Sequence, residues 1–121
     1  MSYNVAICLA PIPASDDGAW ASLDAVIDAE GRASAELVEL HDALTARFPC
    51  LCDLPDDQID EGVWGDGPLI NNFGHRAAVL GIVPSRVDEV LPFLVATATR
   101  AGMTVFDWAT DTIHRPPVAG G

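Results

Sequence analysis

The sequence predicts an α+β fold of the ferredoxin-like type, β-α(α)-β-β-α-β, with a mainly antiparallel sheet and the helices on one face. Residues 3–10 alternate bulky and small side chains with the period of a strand. Three later segments repeat apolar residues at helical spacing, and residues 68–73 and 77–83 flank a turn. Merging the first two helices gives the split βαβ pattern. We expect one domain over residues 1–115 and a flexible tail over residues 116–121.

The first half of the chain predicts one strand followed by two helices. Prolines at 11 and 13 end the first strand, and Ser15 is a suitable N-cap for the first helix. That helix carries an apolar stripe and stops near Gly31. Ser34 is the predicted cap of the second helix, and Pro49 ends it. The inner face of the second helix comprises Leu37, Leu40, Leu44 and Phe48.

The second half predicts a hairpin, a third helix and two more strands. Asn71 and Asn72 weaken the first hairpin arm. Residues 85–88 have the form of a capping box for a helix that ends at Gly102. Pro92 lies inside this helix and predicts either a kink or a later start. Residues 103–108 then predict a strand, and residues 112–115 a short edge strand.

Composition excludes several classes of function. The net charge is −12, and the six basic residues are all arginine. Such a chain repels nucleic-acid backbones and anionic membrane surfaces, so we expect neither as a partner. The first residues carry no basic signal region, and three cysteines fit a reducing compartment, which predicts a cytoplasmic protein. A basic protein is the partner that this charge favours.

Residues 53–68, the acidic segment, are the most distinctive stretch of the chain. Connections this long are usually functional or disordered. Trp64 lies among glycines near the end of the segment, and tryptophan is enriched at interface centres, although a loop tryptophan also often closes the edge of its own core. The alternative is that the acidic segment is a solvated loop with no binding role. We predict a binding surface formed by Asp56, Asp57, Asp60, Glu61, Trp64 and Asp66.

Metal and cofactor chemistry find little support in the residue pattern, so we expect no cofactor. The acidic segment has no register that satisfies an EF-hand, which leaves only a weak, irregular divalent site as an alternative. Cys50 and Cys52 form a C-x-C pair without a second close-spaced pair, so zinc is disfavoured and free thiols are expected. No catalytic residue is predicted.

Two further hypotheses remain open from the sequence. One is an enzyme or small-molecule binder with a pocket between the sheet and residues 50–67, using Cys8, His75, Asp107, Asp111 or His114. The other is a homodimer formed through a sheet face that the helices leave exposed.

Several short motifs match a known family in the same order along the chain. They include the Met-Ser-Tyr-Asn-Val-Ala start, residues 46–49 at the end of a helix, an acidic run, Trp64 before Gly-Pro-Leu-Ile, and Arg86 with Glu89 before the last helix. By these motifs the chain resembles a family of small acidic bacterial proteins. No activity is known for that family, so the resemblance implies no catalytic residues. Asn4, Pro92 and the Cys50-Leu51-Cys52 insert depart from its pattern.

Overall fold

A four-stranded sheet with helices on both of its faces forms the fold. The computed structural model describes residues 3–9, 12–50, 54–55, 57, 62–65 and 69–116. The strands are β1 (Tyr3–Cys8), β2 (Ala77–Ile82), β3 (Thr104–Asp107) and β4 (Thr112–His114). The α-helices are α1 (Asp16–Ile27), α2 (Ala35–Arg47) and α3 (Val87–Arg100). Two short 3₁₀ helices comprise Leu69–Asn72 and Pro84–Arg86. The α+β class with an antiparallel sheet is therefore confirmed.

The first two helices begin where the sequence predicts. The Ser15 hydroxyl accepts a hydrogen bond from the Gly18 amide at 3.1 Å, and the Ser34 hydroxyl accepts one from the Leu37 amide at 3.4 Å. Each cap satisfies an amide that has no partner within its own helix. The predicted capping box at residues 85–88 is wrong, because the 3₁₀ turn Pro84–Arg86 leads into α3 without a side-chain cap. Pro92 lies within α3 and does not delay its start.

The sheet has the order β2-β1-β3-β4, and every pairing between these strands is antiparallel. Val5 faces Leu80 on one side of β1, and Ala6 faces Phe106 on the other. The ferredoxin-like order is not confirmed, because a βαβ unit needs two parallel strands. Between β1 and β2 the chain forms α1 and α2, which pack on opposite faces of the sheet. They therefore do not act as one crossover helix.

The predicted strand over residues 68–73 is also wrong in the part that the structure describes. Residues 69–72 form a 3₁₀ helix, and only Phe73 makes a bridge, to Ala78. The Gly74 amide donates to the Ala77 carbonyl at 2.7 Å and closes the turn. Asn71 and Asn72 are poor strand formers and favour turns, which explains why the first arm of the hairpin does not extend.

The core consists of two clusters, one on each face of the sheet. The larger cluster joins Val5 and Ile7 of β1 to residues of α2 and α3. Its helical members include Leu37, Leu40, Leu44, Val90, Leu94 and Ala98. The smaller cluster joins the alternate β1 residues, Ala6 and Cys8, to Ala19 and Leu23 of α1. Successive strand residues point to opposite faces, so α1 covers one face while α2 and α3 cover the other.

The prediction that all helices lie on one face is therefore wrong. The face with small side chains, which the sequence predicted to be open, is covered by α1. Trp20 of α1 packs against the buried Phe106 of β3, with ring centroids 5.2 Å apart and nearly perpendicular rings. This covered face removes the reason for predicting a homodimer through the sheet. The predicted tail lies outside the described residues, except for Pro116.

Candidate binding surface at the acidic segment

The structure describes two of the six residues that the sequence assigns to the binding surface. Asp57 is exposed, as a contact residue must be. Trp64 is only 1% exposed and belongs to the larger core cluster. The other four, Asp56, Asp60, Glu61 and Asp66, lie outside the described residues.

Trp64 anchors the end of the acidic segment to the fold. Its indole Nε1 donates a hydrogen bond to the carbonyl oxygen of Phe48, at 2.8 Å, so the only polar atom of the buried ring is satisfied. Phe48 is the C-cap residue of α2 and directly follows its last residue, Arg47. The chain therefore returns at Trp64 to the residue at which α2 ends. Trp64 is a buried anchor and not a surface contact residue.

The same end of the segment extends the sheet. The Val83 amide donates to the Val63 carbonyl, and the Gly65 amide donates to the Gly81 carbonyl, both at 2.7 Å. Trp64 forms an antiparallel bridge with Ile82. Residues 63–65 therefore cover the edge of β2 that β1 leaves unpaired. This pairing stabilises the edge and fixes the point at which the acidic segment leaves the core.

Cys50 provides a second anchor near the start of the segment. Its side chain is buried, and its sulfur accepts a hydrogen bond from the Leu69 amide at 3.2 Å. Cys8 and Cys50 are free thiols, as predicted, and Cys52 lies outside the described residues. Among the described residues, no group of three or more His, Cys, Asp or Glu side chains could hold a metal ion.

Exposed carboxylates dominate the surface beyond the segment as well. Every described acid except Asp107 is exposed. The arginine–carboxylate ion pairs in the described part of the chain join Glu89 to Arg86 and Asp16 to Arg115, and the Asp42 carboxylate contacts the His41 ring. Most of the described carboxylates are therefore left to interact with solvent or with a binding partner.

Asp107 is the exception, and its surroundings are structural. The Tyr3 hydroxyl donates to one carboxylate oxygen at 2.6 Å, and the Ala109 amide donates to the other at 3.0 Å. The hydrogen bond to Asp107 raises the pKa of Tyr3, because it stabilises the neutral phenol. Burial and the negative charge of Asp107 act in the same direction. The carboxylate joins the start of β1 to the turn after β3.

The other residues considered for catalysis are not brought together. His75 contacts the Arg32 carbonyl through Nδ1 at 2.8 Å, which joins the turn before β2 to the loop between α1 and α2. Burial raises the pKa of the Cys8 thiol to about 12, with Arg76 opposing the shift, so the thiol is a poor nucleophile. Within the described residues, no hydrogen bond links Cys8, His75, Asp107, Asp111 or His114 to another member of that set.

Two cavities open at opposite ends of the seam between α2 and α3, whereas the alternative hypothesis placed a pocket between the sheet and residues 50–67. One, of about 170 Å³, lies at the end of α2 beside Gly62 and Val63, and Arg47, Arg86 and Glu89 line it. The other, of about 270 Å³, lies near the start of α2 and is lined by Glu36 and Glu39, by apolar residues of α2, by Thr97 of α3, and by Ala101 and Met103 after it. Neither is lined by His75, Asp107 or His114.

Arg47 and Arg86 stand in two separate short motifs of the sequence, one at the end of a helix and one at the start of another. Only the antiparallel packing of α2 on α3 shows that these two motifs meet.

Comparison with known proteins does not add an assignment. No family model, no curated protein and no solved structure matches the chain. Within the described residues, none of the helices has the length and apolar character needed to cross a bilayer.

Proposed function

We propose that the protein is a non-enzymatic binding module that captures a basic protein partner. Its contact surface is the acidic segment, with Asp56, Asp57, Asp60, Glu61 and Asp66 as contact residues and Trp64 as their anchor. In its sharpest form the module is an inhibitor or immunity-type protein that masks the basic surface of its partner. We place it in the cytoplasm, with neither nucleic acid nor membrane as a partner.

One observation carries the proposal: buried contacts join residues that precede the acidic segment to residues at its end. The Trp64 indole donates to the Phe48 carbonyl, and the Leu69 amide donates to the Cys50 sulfur. A loop with fixed ends loses less conformational entropy when it binds than a free chain of the same length would lose. The anchors therefore favour a surface that presents its acids in one region.

Electrostatics supports the choice of a basic partner. The net charge of −12 raises the rate of encounter with positively charged proteins, and raised salt screens this attraction. Among the described residues, most of the exposed acids lie outside the ion pairs given above, which leaves them available to a basic partner. A partner bound in this way associates quickly at low salt and dissociates as salt is raised.

The test compares two variants that have the same change in charge. The loop variant carries Asp56→Asn, Asp57→Asn, Asp60→Asn and Glu61→Gln. The control variant carries Asp24→Asn, Asp28→Asn, Glu36→Gln and Glu39→Gln, all at exposed positions outside the segment. Each removes four negative charges, so the net charge of each is −12 + 4 = −8.

Each protein is used as bait in lysate of the native cell, and the partner is then purified and its association rate is measured. We expect the unmodified protein and the control variant to capture the same basic protein at low salt and release it at high salt. The loop variant should lose capture while keeping the thermal unfolding temperature of the unmodified protein. Unchanged capture by the loop variant, or equal loss in both variants, would reject the acidic segment as the contact surface.

A further inference from the structure

The cavity near the start of α2 is a groove with a mostly apolar lining, which we call the α2–α3 groove. Leu40 and Met103 are its most deeply buried lining residues and form its floor. Ala43, Thr97 and Ala101 line it as well. Its volume of about 270 Å³ is far larger than the roughly 10–15 Å³ that a single water needs, so the groove has room for a short organic molecule.

The way in which α3 ends explains why this groove is open. Gly102 has a φ of +85°, a left-handed conformation that favours glycine, and there the chain turns from α3 into β3. The Met103 amide donates to the Ala98 carbonyl at 3.0 Å, which holds Met103 against the last turn of α3. Ala43 of α2 and Ala101, the C-cap of α3, carry only methyl groups, so their side chains do not fill the space.

Two carboxylates, those of Glu36 and Glu39, line the same groove. Glu36 lies in the first turn of α2, where a negative charge interacts favourably with the helix dipole. Glu39 follows three residues later, and like charges that are neighbours on a helix surface repel each other. In the described part of the chain, neither side chain joins an ion pair or accepts a hydrogen bond. A cation bound in the groove would relieve this repulsion.

The carboxylates and the apolar floor together select a class of ligand. A metal ion takes more ligands than two carboxylates supply, and no group of three or more metal-binding side chains occurs among the described residues. An inorganic cation gains nothing from Leu40 and Met103, whereas an alkyl chain is stabilised by leaving water for such a surface.

We propose that the α2–α3 groove binds a small organic monocation, a primary alkylammonium. Its ammonium group donates hydrogen bonds to the carboxylates of Glu36 and Glu39, and its alkyl chain packs on Leu40 and Met103. The groove lies outside the acidic segment, so this inference does not rest on the proposed function.

Titration with butylammonium chloride, followed by ¹H–¹⁵N NMR of the full chain, tests the proposal. We expect saturable shifts of the amide signals of Glu39, Ala43 and Met103. Butanol, which has the alkyl chain without the charge, and ammonium chloride, which has the charge without the alkyl chain, should not saturate these shifts over the same range of concentration.

The contribution of the carboxylates is measured with two variants that have the same change in charge. The variant with Glu36→Gln and Glu39→Gln should bind butylammonium about fivefold more weakly, because each exposed ion pair contributes only modestly. The control variant carries Asp24→Asn and Asp28→Asn, both at exposed positions outside the groove. Its affinity should stay close to that of the unmodified protein.

The contribution of the apolar floor is measured by filling the groove without a change in charge. Ala43 is exposed, so Ala43→Leu should fold, and its larger side chain should abolish the saturable shifts. Ala46→Leu is the matched control at an exposed position of the same helix, and it should bind butylammonium as the unmodified protein does. Absence of saturable shifts, saturation by butanol or by ammonium chloride, equal affinity of the two charge variants, or unchanged binding by Ala43→Leu would each overturn the proposal.

Discussion

The two faces of β1 carry side chains of very different size, although one strand supplies both. Toward α2 and α3, β1 presents Val5 and Ile7, and β2 presents Leu80 and Ile82. Toward α1, β1 presents Ala6 and Cys8. Small strand residues leave room for the side chains of a helix, and α1 packs its own large side chains, Trp20 and Leu23 among them, against this face. A face of small residues therefore marks close helix packing here and is not an open surface.

The largest expected effect comes from truncating the face with large side chains. Leu80→Ala removes a fully buried side chain from the larger cluster and should lower the free energy of unfolding by about 2–5 kcal/mol. Val79→Ala changes the adjacent residue, which is half-buried and packs toward α1. Its cost should be only about 1 kcal/mol. Urea unfolding of both variants measures the difference, and equal losses would show that the two faces contribute equally.

Enlarging a side chain tests the face with small residues. Ala19 of α1 is fully buried, and Ala19→Leu should lower the free energy of unfolding by about 1–3 kcal/mol, because the added atoms meet a close-packed sheet. Ala21→Leu is the matched control, since Ala21 is an exposed residue of the same helix. Its effect should stay within about 0.5 kcal/mol. If Ala19→Leu leaves stability unchanged in urea unfolding, α1 does not pack closely on this face.

Local features of the fold could be predicted from the sequence, because they depend on nearby residues. Ser15 and Ser34 cap the helices that follow them, and the alternation of β1 correctly separates Val5 and Ile7 from Ala6 and Cys8. That alternation shows which residues share a face, but it cannot show which helix covers the face. The placement of α1 therefore required the structure.

The candidate site was only partly predictable for the same reason. The run of acids and its exposed member Asp57 follow from composition. The role of Trp64 depends on a hydrogen bond to Phe48, sixteen residues earlier, and on pairing with β2. The cavity at the end of α2 forms only where residues near 47 meet residues near 86, and no local pattern in the sequence reveals this contact.

The pH dependence of stability offers the mildest probe of the face that α1 covers. Burial raises the pKa of Cys8 from 9.0 to about 12. The folded state therefore keeps a proton that the unfolded chain releases, so this stabilisation is complete below about pH 9 and declines toward about pH 12. Between these pH values the unfolded chain holds one proton fewer than the folded protein. The free energy of unfolding should therefore fall by up to about 1.4 kcal/mol per pH unit. Tyr3, whose pKa is also raised, adds a loss of the same sign at higher pH.

Urea unfolding from about pH 8 to about pH 11 should show this slope in the unmodified protein and a weaker one in Cys8→Ala, which keeps Tyr3. An equal slope in both would mean that water reaches the thiol, and that α1 does not seal this face of the sheet.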